Sequence, residues 1–148
     1  MAAALPASAD LFIVRHAEKK NPKMDKSTLS AAGFKRAETL KRVLADVDLK
    51  AVYVTEYERT RQTAAPAAAA HKLIPVETKS EDVKGLAAAL KARSEADDVL
   101  VVGHTDTIPD LLIELGVSTR TVIASGDYDN LFVVSRGPGG TVLHRLHY

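Results

Sequence analysis

The chain has 148 residues, a formal net charge of +1, 46% hydrophobic residues and 26% charged ones. Those values fit one globular domain with a real core, and they exclude nucleic-acid binding driven by overall charge alone. The absence of cysteine excludes disulfides and thiolate metal sites. No apolar stretch approaches the roughly 20 residues of a membrane-spanning helix.

Residues 1–9 are Ala-rich and end Leu5-Pro6-Ala7-Ser8-Ala9. The Ala-x-Ala triplet resembles the cleavage region of a secretory signal, but the charged and long apolar regions of such a signal are missing. Two expectations follow. Either 1–9 is a flexible N-terminus before a domain over 10–148, with a cytoplasmic location by default, or it is the remnant of an export signal in a periplasmic or secreted protein.

The first strand is expected at Leu11-Phe12-Ile13-Val14, an apolar run leading into Arg15-His16-Ala17-Glu18. A polar loop containing Asn21-Pro22 follows. Ser30 suits the N-cap of a helix with Phe34, Ala37, Leu40, Val43 and Leu44 on its inner face. Ala51-Val52-Tyr53-Val54 reads as a second strand. Thr55 and Glu58 have the spacing of a capping box, starting a helix near residue 56 that Pro66 would kink or divide. A short strand over 72–76 suits a sheet edge because it contains Pro75. Ser80-Glu81-Asp82 starts a third helix with Val83, Leu86, Ala87 and Leu90 on one face. Residues 99–102 form the clearest buried strand, ending at Gly103-His104. Thr107, Pro109 and Asp110 suit the start of a further helix that Gly116 stops. Later strands are expected over 121–124 and 131–134, joined through Gly126-Asp127. A Gly137-Pro138-Gly139-Gly140 turn then leads into a last strand over 141–146. This alternation with a hairpin-like end implies a three-layer α/β/α sandwich, with a mostly parallel central sheet and antiparallel C-terminal strands.

Three strands therefore end in chemistry. His16 follows the first, Thr55 and Arg59 the second, and His104 the fourth. If these strands are neighbours in one sheet, all three turns open onto one carboxyl-end crevice, where open α/β sheets bind ligands. Arg15 and Arg59 can each grip an anionic oxygen pair through a planar fork. His16 can attack phosphorus, His104 can donate to a phosphate oxygen or orient His16, and Thr55 adds a hydroxyl. Two arginines and a histidine supply the charge, so no metal or other cofactor is required.

Four segments carry a family resemblance. Arg15-His16-Ala17-Glu18 resembles the Arg-His-(Gly/Ala) motif of the histidine phosphatase superfamily, the phosphoglycerate-mutase-like proteins. Leu29-Ser30-x-x-Gly33 resembles the family's Leu-(Ser/Thr)-x-x-Gly segment. Thr55-x-Tyr57-x-Arg59-x-x-Gln62-Thr63-Ala64 resembles its Ser-x-Leu-x-Arg-x-x-Gln-Thr-Ala segment, and Val102-Gly103-His104-Thr105 its Val-Gly-His-Ser segment. The resemblance implies that His16 is the phosphorylated nucleophile, with Arg15, Arg59 and His104 completing the phosphate pocket. Arg59 matches the motif, whereas Arg61 is expected at the surface. The departures are Thr for Ser at 55 and 105, Tyr57 for Leu, and an acidic segment that is not recognisable. Glu81 and Asp82 are candidate general acids by position, each equally readable as a helix-start residue favoured by the dipole. Asp106 is a third candidate, equally readable as a capping residue. Glu18 either orients its neighbours or lies at the surface. His71 is expected at the surface, and His144 and His147 face opposite sides of a strand and do not make a metal site.

The leading expectation is a short, metal-independent phosphatase resembling the phosphohistidine phosphatases. It would act on a phosphorylated small molecule or a phosphohistidine protein, with no nucleic acid or membrane partner. The alternatives are a non-catalytic phosphate-binding or interaction module and, below that, mutase-type transfer.

Overall fold

A computed structural model describes residues 9–148. Its elements alternate: β1 (Ala9–Arg15), α1 (Ala31–Val43), β2 (Leu49–Thr55), α2 (Glu58–Ala70), β3 (Val76–Thr78), α3 (Val83–Ala92), β4 (Asp98–Gly103) and α4 (Thr107–Glu114), then the hairpin β5 (Asn130–Gly137) and β6 (Gly140–His147). One six-stranded sheet has the order β3-β2-β4-β1-β5-β6. The first four of these are parallel, while β5 and β6 run antiparallel to their neighbours.

The chain steps toward the β3 edge through α1 and α2, then returns across the sheet through α3 and α4. Right-handed crossovers place helices of opposite stepping direction on opposite faces. Alternation along the strands supplies both cores. Val14, Val52, Val54, Leu100 and Val102 join Leu40, Leu44, Ala64 and Ala67 on the α1/α2 face. Leu11, Ile13, Tyr53, Val99 and Val101 join Ala87, Leu90, Ile108 and Leu112 on the α3/α4 face. The expected three layers are present, and the crevice lies where β2, β4 and β1 end side by side.

Several local expectations change. Ala9 is fully buried as the first residue of β1, so the described domain begins at least one residue earlier than 10. The readings of residues 1–8 lie outside the described residues. The inner face of α1 is Gly33, Ala37 and Leu40, leading to Leu44, whereas Phe34 and Val43 are 47% and 45% exposed. Thr55 does not cap α2. Its N-cap is Tyr57, without a side-chain cap bond, because the Thr55 hydroxyl is engaged elsewhere. Pro66 sits inside an undivided α2. The strand expected over 72–76 is displaced to Val76–Thr78, because residues 71–73 terminate α2. Lys72 takes φ 57°, Lys72 N–H donates to Ala69 O, and Leu73 N–H donates to Ala68 O, a helix-ending motif. Its place at the sheet edge is as expected. Residues 121–124 form no strand. Asp127 N–H donates to Ala124 O and the Asp127 carboxylate accepts from Ala124 N–H, which folds this segment into a loop over the crevice.

Candidate active site

β1 and β4 pair with Arg15 opposite Gly103, so His16 and His104 each stand one residue past a strand. The His16 N–H donates to Gly103 O at 2.9 Å, and the two imidazole centroids lie 5.4 Å apart. β2, on the other side of β4, ends at Thr55, and Arg59 lies in the first turn of α2. Arg15, His16, Thr55, Arg59 and His104 are thus brought together, and all five are buried, with the two arginines 7% exposed.

The remaining motif residues hold the backbone around His16. Ala17 N–H donates to Thr63 Oγ1 at 2.9 Å, and that hydroxyl donates to Arg59 O at 2.7 Å. Ser30 caps α1 by accepting from Gly33 N–H at 3.1 Å, while Ser30 N–H donates to Glu18 O at 2.9 Å. A Cβ at Gly33 would run into the Glu18 carbonyl oxygen, so the absence of a side chain lets α1 approach the loop after β1. Leu29 N–H donates to Gln62 Oε1 at 2.9 Å. The Glu18 carboxylate pairs with Arg36 at 2.8 Å, and Arg36 also donates to Tyr148 O at 2.6 Å. Arg36 of α1 is therefore tied to both Glu18 and Tyr148, and the Glu18 carboxylate is engaged outside the phosphate pocket.

Hydrogen bonding sets the histidine tautomers. His16 Nδ1 lies 2.8 Å from Ala17 O. A carbonyl only accepts, so Nδ1 carries the proton and Nε2 keeps a lone pair. Burial pushes the His16 pKa down to about 3; the Ala17 bond opposes this, and the charges of Arg59 and Arg15 reinforce it. Burial, followed by Arg59, pushes His104 down to about 4, against the pull of Asp106 and Glu56. Both rings are neutral near pH 7. His104 Nε2 is 3.0 Å from Thr55 Oγ1, itself 3.1 Å from Thr60 Oγ1. The Thr60 proton goes to Tyr57 O at 2.8 Å. We therefore assign Thr55 as donor to Thr60 and acceptor from His104 Nε2–H. The Thr55 hydroxyl faces His104 and Thr60. His104 Nδ1 is the ring nitrogen left to donate, once an anion raises the pKa of the ring.

Arg15 and Arg59 are cations held by backbone carbonyls. Arg15 Nη1 donates to Ser125 O and Asp127 O, each at 2.9 Å, and Arg59 Nη1 donates to Asp25 O. The Nε of each is buried with no hydrogen-bond partner among the described residues. Neither guanidinium makes an ion pair among the described residues. Burial lowers the Arg15 pKa from its ordinary value, yet a guanidinium keeps its charge at any working pH. Two buried cations with idle donors make an anion seat, because their desolvation is offset only when an anion arrives.

A cleft of about 210 Å³ opens beside Arg59 and His104, lined also by Asp25, Tyr57, Ser80, Glu81, Asp106 and Thr107. Glu81 and Asp106 thus reach the site. Asp82 does not line the cleft; its carboxylate caps α3 by accepting from Gly85 N–H at 3.0 Å. Arg61 pairs with Glu58 and Glu77, away from the pocket. His144 and His147 are exposed on β6. Among the described residues no group of three His, Cys, Asp or Glu could hold a metal ion, and no helix is long and apolar enough to cross a membrane.

Sequence reasoning missed Thr60, Asp25 and Tyr128. Thr60 and Asp25 stand in or beside the motifs but act through a hydroxyl and a backbone carbonyl that no motif specifies. Tyr128 lies in the loop before β5, where its ring covers Arg15 with the guanidinium carbon 3.9 Å from the ring centroid. No local sequence pattern marks it.

The comparisons with known proteins agree with this geometry. The family model of the histidine phosphatase superfamily (branch 1) matches residues 11–81, which hold Arg15, His16 and Arg59. Strand pairing brings His104 to the same pocket from beyond that match. That match, to a little under half of the chain, is a similarity to the histidine phosphatase superfamily in the segment that carries three of the pocket residues. An uncharacterized protein of Mycobacterium tuberculosis is 38% identical over 75 residues, 47% of this chain and 37% of that relative, so the match spans little more than a third of the relative's length. The fold is shared with the protein histidine phosphatase SixA complexed with tungstate (TM-score 0.74, 20% identity, 93% of this chain and 96% of that one). It is also shared with the alpha-ribazole phosphatase of Shigella flexneri (TM-score 0.73, 16% identity, 94% and 96%) and with YhfR of Bacillus stearothermophilus (TM-score 0.74, 16% identity, 93% and 96%).

Proposed function

We propose that this protein is a member of the histidine phosphatase superfamily and a metal-independent phosphatase that hydrolyses a phosphomonoester or a phosphohistidine through a phosphohistidine intermediate on His16. The observation that carries this reading is the pairing of an unprotonated His16 Nε2 with two buried guanidiniums whose Nε donors are idle. In this reading Nε2 attacks phosphorus as the bond to the leaving group breaks. Arg15, Arg59 and His104 stabilise the charge on the equatorial oxygens. Glu81 or Asp106 protonates an alkoxide leaving group, and water then attacks phospho-His16, releasing inorganic phosphate and restoring the imidazole. The protein named SixA, whose fold is shared, is a histidine phosphatase. That supports a phosphohistidine protein as one substrate class, and a phosphorylated small molecule is the other.

Hydrolysis is favoured over mutase transfer because residues 58–92 are spent on α2, β3 and α3. They leave no insertion to close over the cleft and retain a phosphorylated acid against water. The test is turnover of p-nitrophenyl phosphate and of a phosphohistidine peptide by wild type and His16→Ala. Wild-type turnover that His16→Ala abolishes supports the reading, and no wild-type turnover of either substrate overturns it.

A further inference from the structure

Two tyrosines outside the phosphate-handling set occupy equivalent places in the two halves of the pocket. The Arg15 guanidinium carbon lies 3.9 Å from the Tyr128 ring centroid, and that ring meets His16 edge-on at 6.1 Å. The Arg59 guanidinium carbon lies 4.3 Å from the Tyr57 centroid, and that ring meets His104 edge-on at 5.2 Å. The tyrosines come from unrelated elements, Tyr57 from the start of α2 and Tyr128 from the loop before β5. Each guanidinium carbon therefore lies over a ring and each Nη1 donates to a loop carbonyl, while each Nε has no hydrogen-bond partner among the described residues. A face contact fixes the plane of the fork and a corner contact fixes its rotation within that plane. What remains unpaired is the buried Nε edge, and that edge of the fork can grip an oxyanion bidentately.

We propose that Tyr57 and Tyr128 are positioning residues that hold Arg59 and Arg15 with their Nε edges toward the phosphoryl group. This rests on the phosphatase reading for what the pocket binds. The attraction proposed is between a cation and a ring face, which the ring alone supplies, although the Tyr57 hydroxyl also reaches the Asp25 carboxylate at 3.5 Å and Tyr128 also acts on Arg15 through a side-chain hydrogen bond. Leucine, the residue that the resembling motif carries at position 57, would fill space without a π face.

The experiment measures vanadate inhibition, KM and kcat for wild type, Tyr57→Phe, Tyr57→Leu, Tyr128→Phe and Tyr128→Leu, with thermal melting as the check on folding. The Leu variants are expected to weaken vanadate binding roughly tenfold, with a matching rise in KM, and the Phe variants to stay within about twofold of wild type. Leu variants that fold and bind vanadate like wild type would overturn the assignment, as would Phe variants as weak as the Leu ones. A second measurement needs no variant. In nitrogen-15 spectra of the wild type, the Arg15 and Arg59 Nε–H signals should shift on vanadate addition, and unmoved signals count against the assignment. Vanadate binding without turnover sinks the phosphatase reading but leaves the tyrosine comparison readable. Turnover indifferent to both Leu variants sinks the tyrosine assignment alone. If vanadate does not bind at all, both fail.

Discussion

The two halves of the pocket are held by different means. The Arg15–His16 half is the end of β1, paired on both sides by β4 and β5, and Arg15 is tied to two carbonyls of one loop. In the Arg59–His104 half the histidine likewise follows a strand paired on both sides, β4 between β1 and β2, but both residues line the open cleft, and Arg59 has a single carbonyl tie, to Asp25 in an exposed loop. In the proposed reaction the attacking His16 shares the more tightly tied, rigid half, and the leaving group would exit on the cleft side. In that reading in-line alignment is set by the sheet-paired half, while selection among leaving groups is left to residues of the cleft.

The largest effect should fall on the rigid half. His16→Ala should lower kcat by on the order of 10⁴-fold or more for every substrate, since it removes the attacking atom. Retention of even a tenth of the activity would break the comparison. On the open half, Glu81→Gln and Asp106→Asn should divide the substrates. The residue that is the general acid should cost roughly 10²-fold on alkyl phosphates and little on phosphohistidine or aryl phosphates. Equal slowing for all leaving groups would remove that residue from the role. Asp82→Asn should leave the leaving-group dependence unchanged, and its effect on melting should be within about 1 kcal/mol, the scale of a helix cap.

A further effect is on stability against pH, measured by urea unfolding with and without vanadate. The native pKa values of about 3 for His16 and about 4 for His104 lie below the ordinary value of 6.5. Between those values the unfolded chain binds protons that the native protein does not. Stability from these groups is therefore complete above about pH 6.5 and falls as the pH drops toward 4, by about 1.4 kcal/mol per pH unit for each histidine. His16→Ala and His104→Ala should each flatten that slope, and vanadate should reduce it by favouring the protonated His104 ring. A slope unchanged in both variants would show that the burial of these rings does not control acid sensitivity.

Most of the layer architecture was legible because strands and helices announce themselves by period. The apolar runs at Leu11, Ala51 and Val99 are central strands, and their polar successors form the pocket. What the sequence obscured was long-range bonding. The segment over 121–124 has strand-like composition, yet it leads into the loop whose Ser125 and Asp127 carbonyls hold Arg15, 110 and 112 residues away in sequence. Thr55 and Glu58 match a capping box, but the Thr55 hydroxyl is shared among His104, Thr60 Oγ1 and the Tyr57 N–H, which donates to it at 3.3 Å, and the N-cap moves to Tyr57. Phe34 fits the α1 periodicity, yet Gly33 is drawn against Glu18, which rotates the helix and leaves Phe34 outside. In each case a distant partner outweighed a local preference.

The most direct test of the central claim is to quench the wild-type enzyme with a fast phosphorus-32-labelled substrate and map the label. The account predicts acid-labile, base-stable phosphate on His16, absent from His16→Ala. Label on any other residue, or turnover that leaves no label on His16 under conditions where the chemical step is faster than hydrolysis of the intermediate, would contradict it.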